Sequence, residues 1–288
     1  MSKFLPSELI INPSGSIYHL DLKPSDIADR TIVVGDQGRV DIVADFFDTV
    51  EFVNQKREFA CKTGFYKGKH ITVLSTGIGT DNIDIVINEL DALVNIDFET
   101  REEKANKKSL DIVRIGTCGI LQNDIPVNSF ILSNYALGID NVGLFYDLET
   151  DKETAVLLDE IKESVIFPKG VNPYLVKASE ELNGRFFSEN VKTGITVTSS
   201  GFYGPQGRKL RVNLAEPQMN DSIYKFDSDG IKFSNLEMEC SALLALSNAL
   251  GHKATTICLG LANRRKKEFS KNYPEKMKEL IEYVLNRI

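Results

Sequence analysis

The sequence predicts an α/β fold in which helices cover both faces of one central sheet. Short apolar runs of strand length alternate with helical patterns over most of the 288 residues. Several of these runs end in glycine, which is typical of buried strands that are followed by a loop. Neither a low-complexity linker nor an internal repeat interrupts the alternation. We therefore expect residues 1–288 to form a single domain, with ligands bound by loops beyond the strand ends.

The first third of the chain shows this alternation clearly. About 23 residues at the start, 1–23, are predicted to be irregular because Pro6, Pro13 and Gly15 oppose regular structure. Apolar residues at helical spacing make 80–96 the clearest helix. The elements that precede this helix are a strand at 31–35, a helix at 38–47, and a β-hairpin with strands at 58–66 and 69–76.

The rest of the chain continues the pattern after a charged segment at 98–109. That segment mixes acidic and basic side chains, so we interpret it as a solvated helix extension or a loop. Beyond it, strands and helices again alternate. Strands are predicted at 111–116, 129–138, 191–198 and 254–261, and helices at 152–164, 174–183, 239–250 and 273–287.

The composition argues against several classes of function. The net charge of −7 is unlike that of a general nucleic-acid binder, whose surface is basic. The three histidines lie far apart and no two of the four cysteines form a C-x-x-C pair, so we expect no metal site. No apolar run reaches the roughly 18 residues that span a bilayer. We expect a cytoplasmic enzyme with reduced cysteines and no membrane partner.

Glycine and arginine meet at the first strand-to-helix junction, where the sequence reads Gly35-Asp36-Gln37-Gly38-Arg39. Glycine leaves backbone N–H groups open to an anion at the start of a helix. Arg39 adds a planar, permanently charged group that suits phosphate oxygens. The alternative is an ordinary turn with a surface arginine. Both interpretations stay open at this motif.

A second arginine, Arg114, lies within an apolar strand that ends in Gly116-Thr117-Cys118-Gly119. A lone buried charge is costly, so this arginine needs a partner. A bound phosphate would supply one, with the Thr117 hydroxyl beside it, but a structural carboxylate would also serve. No histidine lies near Cys118 in the sequence to activate it, so we interpret Cys118 as a structural thiol.

Two carboxylates flank Met238 just before the helix predicted at 239–250. Glu237 and Glu239 would point the same way on a strand because side chains alternate between faces. Acidic residues at a helix start can compensate the helix dipole. A carboxylate is also a strong acceptor for two neighbouring hydroxyls, as on a ribose. The pair therefore has a structural and a functional interpretation.

A segment rich in glycine follows the strand predicted at 191–198 and combines three groups that can contact a base. Phe202 offers an aromatic face, Gln206 an amide and Arg208 a guanidinium. An amide donates and accepts hydrogen bonds at once, which suits the edge of a pyrimidine ring. The alternative is an ordinary surface loop.

Taken together, these motifs resemble the uridine phosphorylase branch of the nucleoside phosphorylase family. The resemblance runs from about His19 to Arg264, and more weakly to the C-terminus. It implies a single three-layer α/β/α domain with a mixed central sheet. It rests on ordered pieces: Tyr18-His19-Leu20, Gly35-Asp36 with Arg39, Arg57-Glu58-Phe59, Ser75-Thr76-Gly77-Ile78-Gly79, Arg114-Ile115-Gly116-Thr117, Phe202-Tyr203 with Gln206-Gly207-Arg208, Glu237-Met238-Glu239 and Asn263-Arg264.

The resemblance implies a role for each matching position at the phosphate. Gly35, Arg39, Arg114 and Thr117 would bind phosphate in their own subunit. Arg57 would reach the phosphate of a neighbouring subunit. A residue that acts across an interface implies a homo-oligomer whose smallest active unit is a dimer.

The resemblance also implies how the nucleoside is bound. His19 would cross from the neighbouring subunit toward the ribose 5′-hydroxyl. Met238 and Glu239 would hold the ribose, with Glu239 on its 2′- and 3′-hydroxyls. The base would be held by Phe202, which stacks on the ring, and by Gln206 and Arg208, which bind the uracil edge.

The implied reaction is phosphate-dependent cleavage of uridine to uracil and ribose 1-phosphate, in pyrimidine salvage. Phosphate is a co-substrate, no cofactor is needed, and catalysis would depend on Arg39, Arg114, Glu239 and Arg208. Purine-cleaving relatives usually carry an aspartate after the late strand, whereas residues 258–264 contain no acid. The alternatives are a purine nucleoside phosphorylase, a nucleosidase, and a non-catalytic nucleoside-binding protein.

Some positions depart from the family pattern. Gln37-Gly38 replaces a common Pro-Asp, which would alter the stiffness of the phosphate loop because proline fixes φ. Gly204-Pro205 reverses a common Pro-Gly in the segment at 199–208, which we call the base loop. The charged segment at 98–109 is an insertion that would affect subunit packing. A potassium ion between subunits, as in some relatives, would involve Glu58, Ile71 and Ser75.

Overall fold

The strands follow one another much as the sequence predicts in the computed structural model, which describes residues 3–288. Two short strands form a separate ribbon and the others join one large sheet. The strands are β1 (Arg30–Val34), β2 (Thr49–Lys56), β3 (Phe59–Tyr66), β4 (Lys69–Ser75), β5 (Ile96–Asp97), β6 (Glu102–Glu103), β7 (Asp111–Ile120), β8 (Phe130–Gly138), β9 (Tyr174–Lys177), β10 (Lys192–Thr198), β11 (Phe233–Glu237), β12 (Lys253–Asn263) and β13 (Glu268–Phe269).

The helices are amphipathic or buried segments between these strands. In the longest, the apolar residues at helical spacing, from Ile83 to Leu93, are buried, and burying each such side chain stabilises the fold by about 1.5–3 kcal/mol. The helices are α1 (Gln37–Ala44), α2 (Thr80–Asn95), α3 (Lys152–Ser164), α4 (Glu180–Phe186), α5 (Met219–Lys225), α6 (Cys240–Ala249) and α7 (Tyr273–Leu285).

The large sheet is mixed and partly closed. Its strands lie in the order β13-β12-β8-β10-β11-β7-β1-β4-β3-β2, with β9 beside β8. β12 also pairs in parallel with β7, so β12, β8, β10, β11 and β7 form a closed ring. The parallel trio β4-β1-β7 brings the carboxyl ends of three strands to one edge. Loops that follow these strands therefore meet beside the ring.

Helices pack on both faces of the sheet, which confirms the predicted α/β fold class. α2 and α6 pack together on one face, where their side chains share a buried cluster with Val33, Leu74 and Ile112. α1, α4 and α7 contribute to a second cluster with Ile32, Val73 and other strand residues. Ile32 and Val33 are neighbours on β1, so their side chains point to opposite faces of the sheet. Each packs against a different layer of helices, as in a three-layer arrangement.

The helix predicted at 174–183 is wrong in its first half. Residues 174–177 form β9, which pairs antiparallel with β8, and α4 begins only at Glu180, after Ser179, whose hydroxyl accepts from a backbone N–H as the N-cap. The short apolar run after Pro173 fits either period, and pairing with β8 decides in favour of a strand.

Several further elements were not predicted: the two-residue strands β5, β6 and β13, and three longer ones, β2, β11 and α5. β2 consists mainly of polar residues at the edge of the sheet, and its side chains are exposed or half-buried. β11 carries Ser234, Asn235 and Glu237, yet all its residues are buried, because its polar groups hydrogen-bond to neighbouring strands of the ring. α5 is a single short helix after the base loop. Because β2 and β11 are rich in polar residues, neither shows the hydrophobic pattern from which strands are predicted.

Little regular structure is found in the start of the chain, predicted to be irregular, or in the segment at 98–109, for which a helix extension and a loop are the alternatives. Residues 3–23 form turns and one isolated bridge. The charged segment at 98–109 is a mostly exposed loop that includes β6, which pairs with β5. Arg101 within it donates to the carbonyls of Phe4 and Leu5 at 2.9 and 3.2 Å. The segment therefore fastens the start of the chain to the end of α2.

Candidate active site

A cavity of about 650 Å³ opens where the loops after β1, β4, β7 and β10 meet. Nine of the residues proposed from the sequence line it. They are Gly35, Arg39, Arg114, Thr117, Phe202, Gln206, Arg208, Met238 and Glu239. Eight lie on four separate segments that the sheet topology brings to one place: the loop after β1, the strand β7, the loop after β10 and the link from β11 to α6. The other, Arg39, lies in the first turn of α1.

Arg39 is buried, so the interpretation as a surface arginine is wrong. Only 7% of the residue is exposed. It lies in the first turn of α1, which begins at Gln37 after the Asp36 N-cap, whose side chain accepts from the Gly38 N–H. The guanidinium donates to the Ile115 carbonyl at 3.3 Å and to the Tyr273 hydroxyl at 3.1 Å. Its Nε is buried without a hydrogen-bond partner among residues 3–288.

Arg114 lies inside the ring of strands and is paired with two carboxylates. Its Nη1 lies 3.0 Å from Oε2 of Glu237, and its Nη2 donates to Glu239. Burial by itself would lower the pKa of Arg114, but the charges of Glu239 and Glu237 outweigh burial and raise that pKa. The structural-carboxylate interpretation is therefore correct for these two nitrogens. Nε of Arg114 is buried and has no hydrogen-bond partner within the described chain.

Glu237 ends β11 and caps α6, as the helix-start interpretation predicts. It accepts hydrogen bonds from the backbone N–H groups of Glu239 and Cys240, each at 2.9 Å. Burial raises the pKa of Glu237, and the charge of Arg114 opposes that rise. Both oxygens are engaged by the protein itself.

Glu239 has fewer hydrogen-bond partners than Glu237 and lies beside the glycine-containing loop between β4 and α2. Its Oε1 accepts from the Gly79 N–H at 2.7 Å, and its Oε2 accepts from Arg114. Gly77 and Gly79 have φ of +74° and +101°, a region that L side chains rarely adopt. These glycines let the backbone of the loop between β4 and α2 approach the carboxylate.

The base loop places an aromatic ring, an amide and a guanidinium side by side. The guanidinium of Arg208 lies 3.8 Å above the half-exposed Phe202 ring and donates to the side-chain oxygen of Gln206. Gln206 itself is buried. Burial lowers the pKa of Arg208, and the nearby charge of Arg264 lowers it further. Arg264 also donates to the Gln206 carbonyl at 2.7 Å, so this end of the loop is held in place.

Cys118 lines the cavity but lacks the features of a nucleophile. Burial raises the pKa of its thiol well above the ordinary value, so the thiolate is disfavoured at neutral pH. The thiol lies 3.8 Å from the Leu259 carbonyl. All four cysteines of the chain are free and buried.

Two residues proposed to act on the substrate lie outside this cavity. His19 is bound through Nδ1 to Glu89 at 2.7 Å. Arg57, with φ of +55°, lies 5.9 Å from the Tyr18 ring. Within one subunit the structure therefore does not bring His19 and Arg57 to the other site residues. Their action in a neighbouring subunit stays a prediction.

Two of the three residues suggested for potassium, Glu58 and Ser75, lie near the Arg57 turn. The Ser75 hydroxyl donates to the Glu58 carbonyl at 2.6 Å. Ile71 lies four residues earlier on the same strand, at the other end of its pairing with β1. A potassium site at these residues stays a prediction.

Sequence reasoning missed several cavity residues. Ile78 and Phe269 are largely exposed apolar side chains at the cavity, and Leu236, Leu261 and Ala262 add apolar surface. Ile78 lies between Gly77 and Gly79 in a motif already associated with the site, so its position there could have indicated a cavity residue. Phe269 lies on the short strand β13, which no sequence pattern indicated.

Comparisons with known proteins agree on one family. The family model described as the phosphorylase superfamily matches residues 29–286. The solved structure of a Trypanosoma brucei nucleoside phosphorylase, described as showing uridine phosphorylase activity, has a TM-score of 0.88 and 31% identity, and the match covers 97% of this chain and 98% of that one.

Two curated relatives differ in the nucleoside that their names give. A uridine phosphorylase of Thermococcus kodakarensis is 28% identical over 277 residues, which are 94% of this chain and 86% of the relative. A guanosine phosphorylase of Halorubrum lacusprofundi is 27% identical over 277 residues, which are 93% of this chain and 94% of the relative. Among the described residues, no helix is long and apolar enough to cross a membrane.

Proposed function

We propose, from the premise that this chain belongs to the phosphorylase superfamily, that it cleaves uridine with inorganic phosphate to give uracil and ribose 1-phosphate. The chain is a nucleoside phosphorylase, and hence a pentosyltransferase. Uridine is the substrate named for the T. brucei and T. kodakarensis relatives. The groups that line the cavity support the same substrate here.

The observation that carries the proposal is the distribution of charge along β7. Arg114, with its unpartnered Nε, lies beside Gly116, and Arg39 donates to the adjacent Ile115 carbonyl. Arg208 lies farther along the strand, since its Nη2 is 3.9 Å from the position that a Cβ would occupy at Gly119. Glu239 lies at the other end, where it contacts Arg114. One cavity thus offers cations for phosphate, a carboxylate for ribose hydroxyls, and an amide with a guanidinium for a base.

The proposed mechanism follows from these positions. Phosphate bound by Arg39 and Arg114 attacks C1′ as the bond between C1′ and the base breaks. Orientation of phosphate beneath the sugar supplies much of the rate. Negative charge develops on the leaving uracil, and Gln206 with Arg208 stabilises it, which removes the need for a strong general acid. Glu239 binds the 2′- and 3′-hydroxyls and holds the ribose in register.

The last residues of β12 support a pyrimidine nucleoside over a purine nucleoside as the substrate. Residues 258–264 carry no acid that could protonate a purine ring. Asn263, the polar residue nearest to such a position, is buried and donates to the carbonyls of Gln122 and Ile125 at 2.9 and 3.3 Å. Its amide is therefore directed at the backbone. The guanosine phosphorylase relative keeps a purine nucleoside as the second candidate substrate.

The proposal includes an assembly and a setting. We propose a homo-oligomer, with a dimer as the smallest active unit, in which His19 and Arg57 act on the partner's ligands. No metal or other cofactor takes part in the proposed steps; potassium at Glu58, Ile71 and Ser75 would bind between subunits. We place the reaction in cytoplasmic pyrimidine salvage. Neither nucleic acid nor a membrane is a proposed partner.

A direct assay separates the candidate functions. Purified protein is incubated with uridine, guanosine or inosine, with and without phosphate, and the released base is quantified by chromatography. We expect uracil release from uridine only when phosphate is present. Uracil release without phosphate would identify a nucleosidase, turnover of guanosine or inosine alone would identify a purine phosphorylase, and no turnover would favour a non-catalytic binding protein.

A further inference from the structure

A buried hydroxyl at the end of β10 has no role in the reaction described above. Thr198 lies opposite Glu237 in the pairing of β10 with β11, and its hydroxyl donates to Oε1 of Glu237 at 2.6 Å. We propose that Thr198 is a positioning residue for phosphate binding: it orients Glu237, and Glu237 in turn holds Arg114. The inference rests on the proposed function of Arg114 as a phosphate ligand.

Glu237 has no capacity left for a substrate. An ionised carboxylate offers about four acceptor sites. The donors to Glu237 are the Thr198 hydroxyl, Nη1 of Arg114, and the backbone N–H groups of Glu239 and Cys240. Four donors fill these sites, so Glu237 acts as an anchor for Arg114 and for the start of α6.

Glu239 differs from Glu237 although both contact the same arginine. It accepts from the Gly79 N–H and from Arg114, which leaves acceptor capacity for hydroxyl groups. The two carboxylates therefore divide two tasks: Glu239 is free to exchange partners when a ribose binds, whereas Glu237 keeps Nη1 of Arg114 in one place.

A second hydrogen bond fixes the direction in which the Thr198 hydroxyl donates. Its oxygen accepts from the Ser241 N–H at 2.9 Å, so its own proton is directed at Glu237. Ser241 is held in turn, since its hydroxyl donates to Asp140 at 2.6 Å and accepts from Tyr174 at 3.0 Å. These residues are buried. A continuous set of hydrogen bonds thus runs from Asp140 to the arginine in the cavity.

The test compares two buried threonines on one strand. Thr198→Val removes the hydroxyl and keeps the shape of the side chain, and Thr198→Ser keeps the hydroxyl. Thr196→Val is the matched control, because Thr196 is also buried and donates to its neighbour on β11, but there the acceptor is the amide of Asn235, at 2.9 Å. The readouts are phosphate affinity by calorimetry, and KM for phosphate and for uridine.

We expect Thr198→Val to weaken phosphate binding and raise KM for phosphate about tenfold, since the lost bond is made to a charged group. KM for uridine should change much less. Thr198→Ser should restore wild-type values, and Thr196→Val should keep them. Equal phosphate affinities in Thr198→Val and Thr196→Val would overturn the inference.

Failure of the proposed function gives a different result. If the wild type binds phosphate but does not cleave uridine, the function is wrong, and the calorimetric comparison still decides the role of Thr198. If the wild type binds no phosphate, the inference is overturned together with the role of Arg114. Should Thr198→Val not fold, Thr198→Ala removes the same hydroxyl and is compared with Thr196→Ala.

Discussion

At the scale of single residues, the site is organised around one buried arginine. Arg114 is the shared partner of Glu237 and Glu239, so the three side chains form a network that is costly to break in part. Removing one member of a buried ion pair leaves an uncompensated charge, which costs about 3–5 kcal/mol. The stability of the fold and the proposed binding of phosphate therefore depend on the same residue.

Arg114→Ala should destabilise the fold in a pH-dependent way. Burial already raises the pKa of Glu237 and Arg114 opposes the rise, so the variant raises that pKa further. A carboxyl whose pKa is higher in the folded state stabilises the fold below its unfolded pKa of about 4.3 and loses that contribution as pH rises through the folded pKa. The deficit in unfolding free energy, measured with urea, should be small near pH 4.5 and grow toward pH 8.

A second arginine provides the control for that measurement. Arg185 also contacts two carboxylates, Asp111 and Glu181, but its side chain is one-third exposed. Arg185→Ala should cost no more than about 1 kcal/mol, because exposed ion pairs contribute little. A deficit for Arg114→Ala that is equally small, or that shrinks with rising pH, would contradict the burial argument.

At the scale of elements, the base loop depends on one turn. Gly207 has φ of +66°, and a Cβ there would collide with the side chain of Asn220. The residue lies between Gln206 and Arg208, which face the cavity. The backbone conformation at Gly207 therefore sets the direction of both side chains that are proposed to bind uracil.

Gly207→Ala should raise KM for uridine while changing KM for phosphate little. We expect an increase of about tenfold, because the added methyl group strains a residue at positive φ and moves its neighbours. Gly204→Ala is the control within the same loop, since nothing lies within 4 Å of a Cβ built there. Steady-state kinetics would count against this role of the turn if the two variants had the same KM for uridine.

Much of the fold could be predicted from the sequence because its apolar patterns are local. The run before Gly35 and the stripe of α2 are examples, and the observed β1 and α2 confirm them. β11 could not be predicted in this way. Its buried polar residues are satisfied by β10 and by Arg114 on β7, and those partners are distant in sequence.

The sequence predicts which residues form the candidate site, but not which of them are joined by hydrogen bonds and ion pairs. Ordered motifs named nine residues that the fold brings to one cavity. The sequence left a phosphate and a carboxylate as equal alternatives for Arg114, and the structure shows the carboxylates. Glu237 as an anchor, and Thr198 behind it, follow from strand register, which only the folded chain defines.

At the scale of the whole molecule, the open question is what the neighbouring subunit contributes. Arg57 and His19 do not line the cavity of their own subunit. The proposal that they act in the partner's site makes each active site a composite of two chains. Variants in different chains of one dimer can test this.

Mixed dimers of Arg57→Ala and Arg114→Ala chains should retain activity. If Arg57 acts across the interface, one of the two sites in such a dimer keeps both arginines, so about half of wild-type activity is expected. The two chains carry different affinity tags, and dimers with both tags are purified and assayed for uracil release.

The reversed arrangement is the control. A wild-type chain paired with a chain carrying both substitutions should be inactive, because its intact subunit faces a partner without Arg57. Half activity in this reversed dimer, together with none in the first, would show that Arg57 acts within its own subunit.

Transfer of the ribosyl group to phosphate is the central claim, and phosphorus NMR follows it directly. Wild-type protein is mixed with uridine and inorganic phosphate, and the phosphate signal is compared with the uracil released in the same sample. We predict that one phosphate is converted to ribose 1-phosphate for each uracil formed. Uracil formation with no loss of the inorganic phosphate signal would contradict the account.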